Sequence, residues 1–310
     1  MYQVKTPVAL LIFNRPDTTR AVFERVAEVR PRQLFIVADG PRRGKPGEEE
    51  RCAAARKVMD DVDWDCAVEW NIADENLGCR RRVSSGLDWV FSRVDRAVIL
   101  EDDCIPARSF FRFCDDLLDR YEHDARVMSL CGTNLVPAMK PGPESYYFSR
   151  NCYVWGWATW RRAWAHFDVE MTQWPAFRDE GRLQWVVPDD AIRRSYERNF
   201  QAVYDQELDS WAFAWRFACW SQSGFTVLPV ENLISNVGFG PAATHTCDER
   251  DPFANRPRTE LQFPLRHPQN VVPFLPADCK VEQLYHRGYV ERAWRKLRRI
   301  CRRATANRRR

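Results

Sequence analysis

The chain has eleven cysteines but no Cys-x-x-Cys pair and no metal-finger spacing, which excludes the small zinc-binding classes. Their number is odd and no charged-then-apolar leader opens the sequence. Reduced thiols in a cytoplasmic protein are therefore expected rather than a disulfide framework. Nor is there an apolar run near the roughly 18 residues that a membrane-spanning helix needs. No internal repeat is found, and low complexity is confined to the end of the chain. Disorder is excluded for most of the length, because 45% of the 310 residues are hydrophobic and 13% aromatic, enough for one large core or two modest ones.

An excess of positive charge is missing from the body as well. Residues 291–310 carry ten Lys or Arg and one Glu, so that against a net charge of +4 the first 290 residues sum to −5. A mildly acidic body is not the footprint of a nucleic-acid binder, and no nucleic-acid partner is expected. The end of the chain is different. From Arg287 to Arg303, "RGYVERAWRKLRRICRR" sets Val290, Trp294 and Leu297 at spacings of four and three, with Cys301 a further turn along. A basic helix with one narrow apolar stripe suits the headgroup layer of an anionic membrane; a solvated, disordered tail is the alternative. The expected location is cytoplasmic, with the tail touching the cytoplasmic face of the membrane.

What is present in the first half is alternation. "PVALLIF" (7–13), "QLFIVAD", "CAVEW" and "AVIL" read as short strands. Between them lie a helix from "RPDTTRAVFERVAEV" with Pro16 near its start, a helix over about 48–61, and one over about 79–94 with Val83, Leu87, Val90, Phe91 and Val94 on one face. A further helix carries Phe110, Phe111, Cys114, Leu117, Leu118 and Tyr121. Such alternation implies right-handed crossovers and a Rossmann-like α/β fold, with a mainly parallel sheet covered by helices on both faces.

In an open parallel sheet ligands bind at the carboxyl ends of the strands. Here those ends are "FNRP" with Asn14 and Arg15, "ADGPR" with Asp39, and "VILEDDCIP", where three consecutive carboxylates, Glu101, Asp102 and Asp103, follow a buried strand. Adjacent acids repel, so a plain turn gains nothing from three of them. Hard divalent cations such as Mg²⁺ or Mn²⁺ are held by one or two carboxylates together with substrate phosphates. A nucleotide diphosphate meets that description: the metal would neutralise a departing pyrophosphate, Arg15 would meet the phosphates, and Asp39 would accept from a base N–H or ribose hydroxyl. "ENLGCRRR" (75–82) puts Arg80, Arg81 and Arg82 at a helix start. Cations are unfavourable there unless an anion lies nearby, and Arg81 joins the candidate cofactor-binding residues.

Taken in order, "FNRPDTT", "VADGPR", "ENLGC…GLDWVF", "VILEDDCIP…FFRF", "GWATWRRAW" and "NLISNVGFGPAATHT" resemble the bacterial GT-A-fold glycosyltransferases, family 2-like, of the N-acetylglucosaminyltransferase I type, over roughly residues 5–247. The resemblance implies a GT-A nucleotide-diphospho-sugar transferase domain over 1–260, with a nucleotide-binding half to about 135 and an acceptor half over 136–260; residues 261–310 form a C-terminal extension. It also implies that the triplet is an E-D-D variant of the DxD motif with Asp103 on the metal, Mn²⁺ or Mg²⁺, and Glu101 and Asp102 beside it, and that Arg15 and Asp39 contact the nucleotide. The family inverts configuration, so a carboxylate on the acceptor side acts as base. Asp209, before the tryptophan helix of "DQELDSWAFAWRFACW", is the candidate, with Glu207 in reserve; relatives often carry an acid just after the tryptophan, where Ala212 stands here. Capping of its own helix is the structural alternative for Asp209.

Four tryptophans and a tyrosine crowd "YVWGWATWRRAW" (153–164). Aromatic faces stack on sugar rings, which makes Trp157, after Gly156, the acceptor candidate, against the alternative of core packing. His245 in "ATHT" is a candidate for the pyrophosphate or metal when its loop closes. The expected activity is transfer of a sugar from a UDP-type nucleotide diphosphate donor to a saccharide or lipid-linked saccharide in cell-surface polysaccharide or glycan assembly. Two other readings stand beside it. A sugar-1-phosphate nucleotidyltransferase would want a glycine-rich loop after the first strand, and "NRPDTT" has no glycine; a non-catalytic saccharide-binding protein of transferase descent is the other.

Overall fold

The computed structural model describes residues 2–239 and 253–285. Every residue of the first strand, β1 (Val8–Ile12), is buried, in two directions. Val8, Leu10 and Ile12 join one core cluster, and Ala9 and Leu11 join another. Strands β2 (Gln33–Ala38) and β4 (Arg96–Glu101) divide their side chains in the same way. Period-two burial on both faces is what a parallel strand covered by helices requires.

Between these strands run α1 (Pro16–Ala27), α2 (Glu48–Lys57) with a 3₁₀ turn at Val58–Asp61, β3 (Ala67–Ile72) and α3 (Gly78–Phe91). After β4 come β5 (Cys104–Pro106), α4 (Arg108–Arg120), β6 (Val127–Cys131), β7 (Tyr146–Ser149), β8 (Trp157–Trp160) and α5 (Arg161–Trp164). A helical excursion follows, with α6 (Trp174–Asp179), α7 (Leu183–Val186), α8 (Asp190–Tyr204) and α9 (Trp211–Ser221), before β9 (Phe225–Pro229) and β10 (Ile234–Asn236). Residues 275–285 are helical.

Eight strands form one sheet in the order β3-β2-β1-β4-β8-β6-β9-β7. From the pairings, six strands run one way and β8 and β7 run against them. The expected Rossmann-like, mainly parallel sheet with helices on both faces is therefore what the chain forms. Helices α1 and α4 cover one face; α3, α5 and α9 cover the other. The outer side of α9 packs with α6–α8 in a third cluster around Trp174, Phe200 and Phe217.

Residue 260 does not mark a break in packing. Glu260 accepts from the N–H groups of Arg108 and Ser109 at the start of α4, Leu265 is buried in the first cluster, and Ala277 and Val281 are buried in the second. Up to residue 285 the expected C-terminal extension thus belongs to the same cores. The basic tail expected from Arg287, and His245, lie outside the described residues. Among the described residues no helix is long and apolar enough to cross a membrane.

Candidate functional site

Register builds the site. Leu11 of β1 pairs with Glu101 of β4, and Ile12 pairs with Ala38 of β2, so the residues that follow these strands emerge level with one another at the carboxyl edge of the sheet. From β1 the chain enters α1 after only Phe13, Asn14 and Arg15. From β2 it delivers Asp39. From β4 it delivers the acidic triplet, with Glu101 the last residue of the strand.

Arg15 bridges the two aspartates: one terminal nitrogen pairs with Asp102 Oδ1, and Nη1 lies 2.8 Å from Asp103 Oδ2. Asp102 is fixed further by the Phe13 N–H at 3.1 Å. Its side chain is 3% exposed against 12% for Asp103, so Asp103 is the more accessible aspartate. Glu101 is half-buried, and its side chain makes no hydrogen bond or ion pair among the described residues. Burial, together with the charges of Asp103 and Asp102, pushes its carboxyl up. Burial pushes Asp102 up as well, against the opposing pull of Arg15. Crowded oxygen donors of this kind fit a hard divalent cation, whose charge would favour their ionised forms. Among the described residues no group of three His, Cys, Asp or Glu side chains is gathered to hold a metal. Asp103 would then hold it with phosphate oxygens and water rather than in an all-protein cage.

The other expected nucleotide contacts have partners within the chain. Asn14 donates to Glu48 Oε1 at 2.9 Å, and the same buried carboxylate takes the Arg42 N–H and guanidinium. Asp39 accepts from the backbone N–H groups of Gly40 and Leu77, both at 2.9 Å, and from Asn76 Nδ2 at 2.8 Å. Burial nonetheless raises its pKa. Asp39 thereby sets the 75–78 loop instead of standing free beside it. Asn76 and Glu48 carry little signal in the sequence, because a loop asparagine and a helix-start glutamate are ordinary; for Asn76 the signal is its position three residues before Cys79, inside "ENLGC".

Asp209 does not cap its own helix. Its two oxygens accept from Cys79 N at 3.1 Å and Arg80 N at 2.9 Å, capping α3 from across the molecule. Gly78, at φ +78°, leaves room for it: a Cβ there would lie 3.0 Å from Asp209 Oδ2. The start of α3 is thus held by Asp39 on one side and Asp209 on the other, negative charge at the positive end of the helix dipole. These carboxylates are the anions that the arginine run calls for. Arg80 reaches Val169 O and Glu170, and Arg82 reaches Ala38 O and Asn71, so both are structural. Arg81 is exposed, and its side chain makes no hydrogen bond or ion pair among the described residues. Glu207 is exposed on the same 205–210 loop as Asp209.

Trp157 is corrected. It is 0% exposed on β8, stacked with Trp211 at 5.5 Å and tilted against Trp164 and Trp215, so neither ring face is open to a sugar. The strand alternation that points Ala158 and Trp160 to one core points Trp157 to the other.

Cys79 relates the two halves of the rim. Burial pushes its thiol up, and the charges of Glu101, Asp209, Asp103 and Asp39 push it the same way. Fold and rim define an α/β protein with an acidic, arginine-bridged site at the carboxyl edge of a mainly parallel sheet.

No protein-family model matches the chain, and no curated protein matches it. Among solved structures it is similar to HddC from Yersinia pseudotuberculosis, at 7% identity over 50% of this chain and 77% of that one, with a TM-score of 0.29. The same protein complexed with GMP-PN matches at 8% identity, 50% and 77% coverage and a TM-score of 0.29. UDP-glucose pyrophosphorylase complexed with UDP-glucose matches at 9% identity over 48% of this chain and 64% of that one, with a TM-score of 0.26. Each likeness covers about half of this chain and superposes loosely.

Proposed function

We propose that the protein is a metal-dependent, inverting glycosyltransferase of the GT-A kind, which moves a sugar from a nucleotide diphosphate sugar with UDP as carrier to a saccharide or lipid-linked saccharide. The observation that carries this reading is the arrangement at the sheet edge: Arg15 from the end of β1 bridges Asp102 and Asp103 from the end of β4, and Asp39 from the end of β2 and the base candidate Asp209 both hold the start of α3, at Leu77 N and at Cys79 N and Arg80 N. A bound Mn²⁺ or Mg²⁺ would supply charge neutralisation of the departing diphosphate. Asp103 would hold that ion, and Arg15 would meet the phosphates. Asp39 positions the 75–78 loop beside the nucleoside. Asp209, exposed and with lone pairs remaining beyond its two N–H bonds, takes the proton of the acceptor hydroxyl, with Glu207 in reserve.

The three-residue link between β1 and α1, without glycine, leaves no phosphate loop for a nucleoside triphosphate. This weighs against the nucleotidyltransferase reading. The test is nucleotide release across a panel of nucleotide sugars with and without Mn²⁺. UDP release that needs both Mn²⁺ and an acceptor supports the proposal. Pyrophosphate release from a nucleoside triphosphate and a sugar 1-phosphate would establish the nucleotidyltransferase instead, and saccharide binding with no nucleotide binding would establish a non-catalytic protein.

A further inference from the structure

Arg15 pairs with both aspartates at once, and its surroundings leave it little choice. Its backbone is fixed, since Arg15 O accepts from Thr19 N at 3.0 Å and Thr19 Oγ1 at 2.7 Å. Asp102 is held by Phe13 as well as by the guanidinium. Asp103 Oδ1 faces the Cys104 thiol at 3.4 Å, and Oδ2 faces Arg15. Over that ion pair lies the bare backbone of Gly238: a Cβ there would stand 1.9 Å from Asp103 Oδ2 and 2.9 Å from Arg15 Nη1. The strand pairing of β10 with β5 and the bond from Val237 N to Asp103 O at 2.9 Å keep this cover in place.

A small divalent cation such as Mg²⁺ is bound by oxygen at about 2.0–2.1 Å, which on Asp103 Oδ2 would set it against the guanidinium. Two cations cannot share one oxygen of a half-enclosed site without strong repulsion. Asp103 therefore takes a metal only as Arg15 swings away, and a guanidinium leaves two carboxylates readily only for another bidentate anion. We infer that Arg15 is the resident counter-ion of Asp103 and exchanges it for a divalent cation when a diphosphate receives the guanidinium, so that metal and nucleotide diphosphate bind as a coupled pair. The identity of the anion rests on the proposed donor; the exchange at Asp103 rests on the geometry alone. Arg15 is on this account a positioning residue that sets the order of binding.

The experiment measures Mn²⁺ binding to the full chain by electron paramagnetic resonance, with and without UDP and corrected for the Mn²⁺–UDP complex in solution. In the wild type, UDP tightens Mn²⁺ binding on the order of 10-fold or more, and Mn²⁺ tightens UDP binding by the same factor, since coupling is reciprocal. Arg15→Met binds Mn²⁺ alone on the order of 10-fold more tightly than the wild type and loses the coupling. Arg15→Lys, which keeps the charge, stays weak for Mn²⁺ alone. Equal Mn²⁺ affinity with and without bound UDP in the wild type overturns the inference whether or not Arg15→Met folds, as does Mn²⁺ binding that survives Asp103→Asn. If UDP binds no variant while Arg15→Met still gains Mn²⁺ affinity, the donor proposal fails and the hold of Arg15 on Asp103 stands.

Discussion

At the carboxyl ends of β1, β2 and β4, a few charged side chains gather at one edge of the sheet, where Arg15 bridges Asp102 and Asp103 and Asp39 holds the loop before α3. In the tryptophan-rich second half, residues just as conspicuous in the sequence are turned inward: Trp157, Trp211 and Trp215 pack together in one core group, and Trp174 and Trp220 belong to another. The difference teaches that unusual residues mark a site when burial is unfavourable for them, as for three adjacent carboxylates. They mark a core when burial is what they favour, as for indole rings.

The sharpest way to break this contrast is at Asp103. Asp103→Ala should abolish Mn²⁺-dependent donor turnover while the melting temperature holds, because separating crowded carboxylates relieves repulsion; unchanged turnover, with EDTA also without effect, would remove the metal role. Next in size is Asp209→Asn. Transfer should fall on the order of 10²–10⁴-fold with donor binding kept. The fold should lose only about 1 kcal/mol of α3 capping, since one oxygen still accepts; a matching transfer loss in Glu207→Gln, with Asp209→Asn active, would shift the base to Glu207.

On the other side of the comparison, Trp157→Ala should cost about 3–5 kcal/mol of stability in a denaturant titration. In the folded fraction the acceptor KM should not move; a raised KM in a fully stable Trp157→Phe would restore Trp157 to the acceptor site.

The smallest effect concerns acid. The Arg42 guanidinium holds the Glu48 carboxyl down at about 2 against an ordinary 4.5, despite its burial. A depressed carboxylate stabilises the fold fully above the unfolded value and loses that contribution as pH falls through the folded one. Stability should therefore decline between about pH 4.5 and 2, and Glu48→Gln should flatten that part of the curve, as followed by chemical denaturation at each pH.

Local pattern made much of this legible. Period-two and period-3.6 apolar spacing placed β1 to β4 and the helices between them, because a strand or helix must show its apolar side at its own repeat. The rim followed, since parallel strands joined by crossover helices bring their carboxyl ends to one edge. That is why Arg15, Asp39 and the triplet are assigned to a common edge by the sequence alone.

What only the tertiary structure decided are the pairings between distant segments. The insertion of β8 between β4 and β6, against the direction of both, determined which core Trp157 enters. Asp209 meets α3 across a separation of 129 residues at Arg80, and Gly238 meets Asp103 through the β10–β5 ladder. Such contacts leave no periodicity in the chain, because they depend on how completed elements pack and not on the repeat within any one of them. Composition and order thus determined a mainly parallel α/β sheet with an acidic edge; three-dimensional packing decided that Arg15 sits on the acids, that Asp209 caps α3 from across the molecule, and that the tryptophans fill the core.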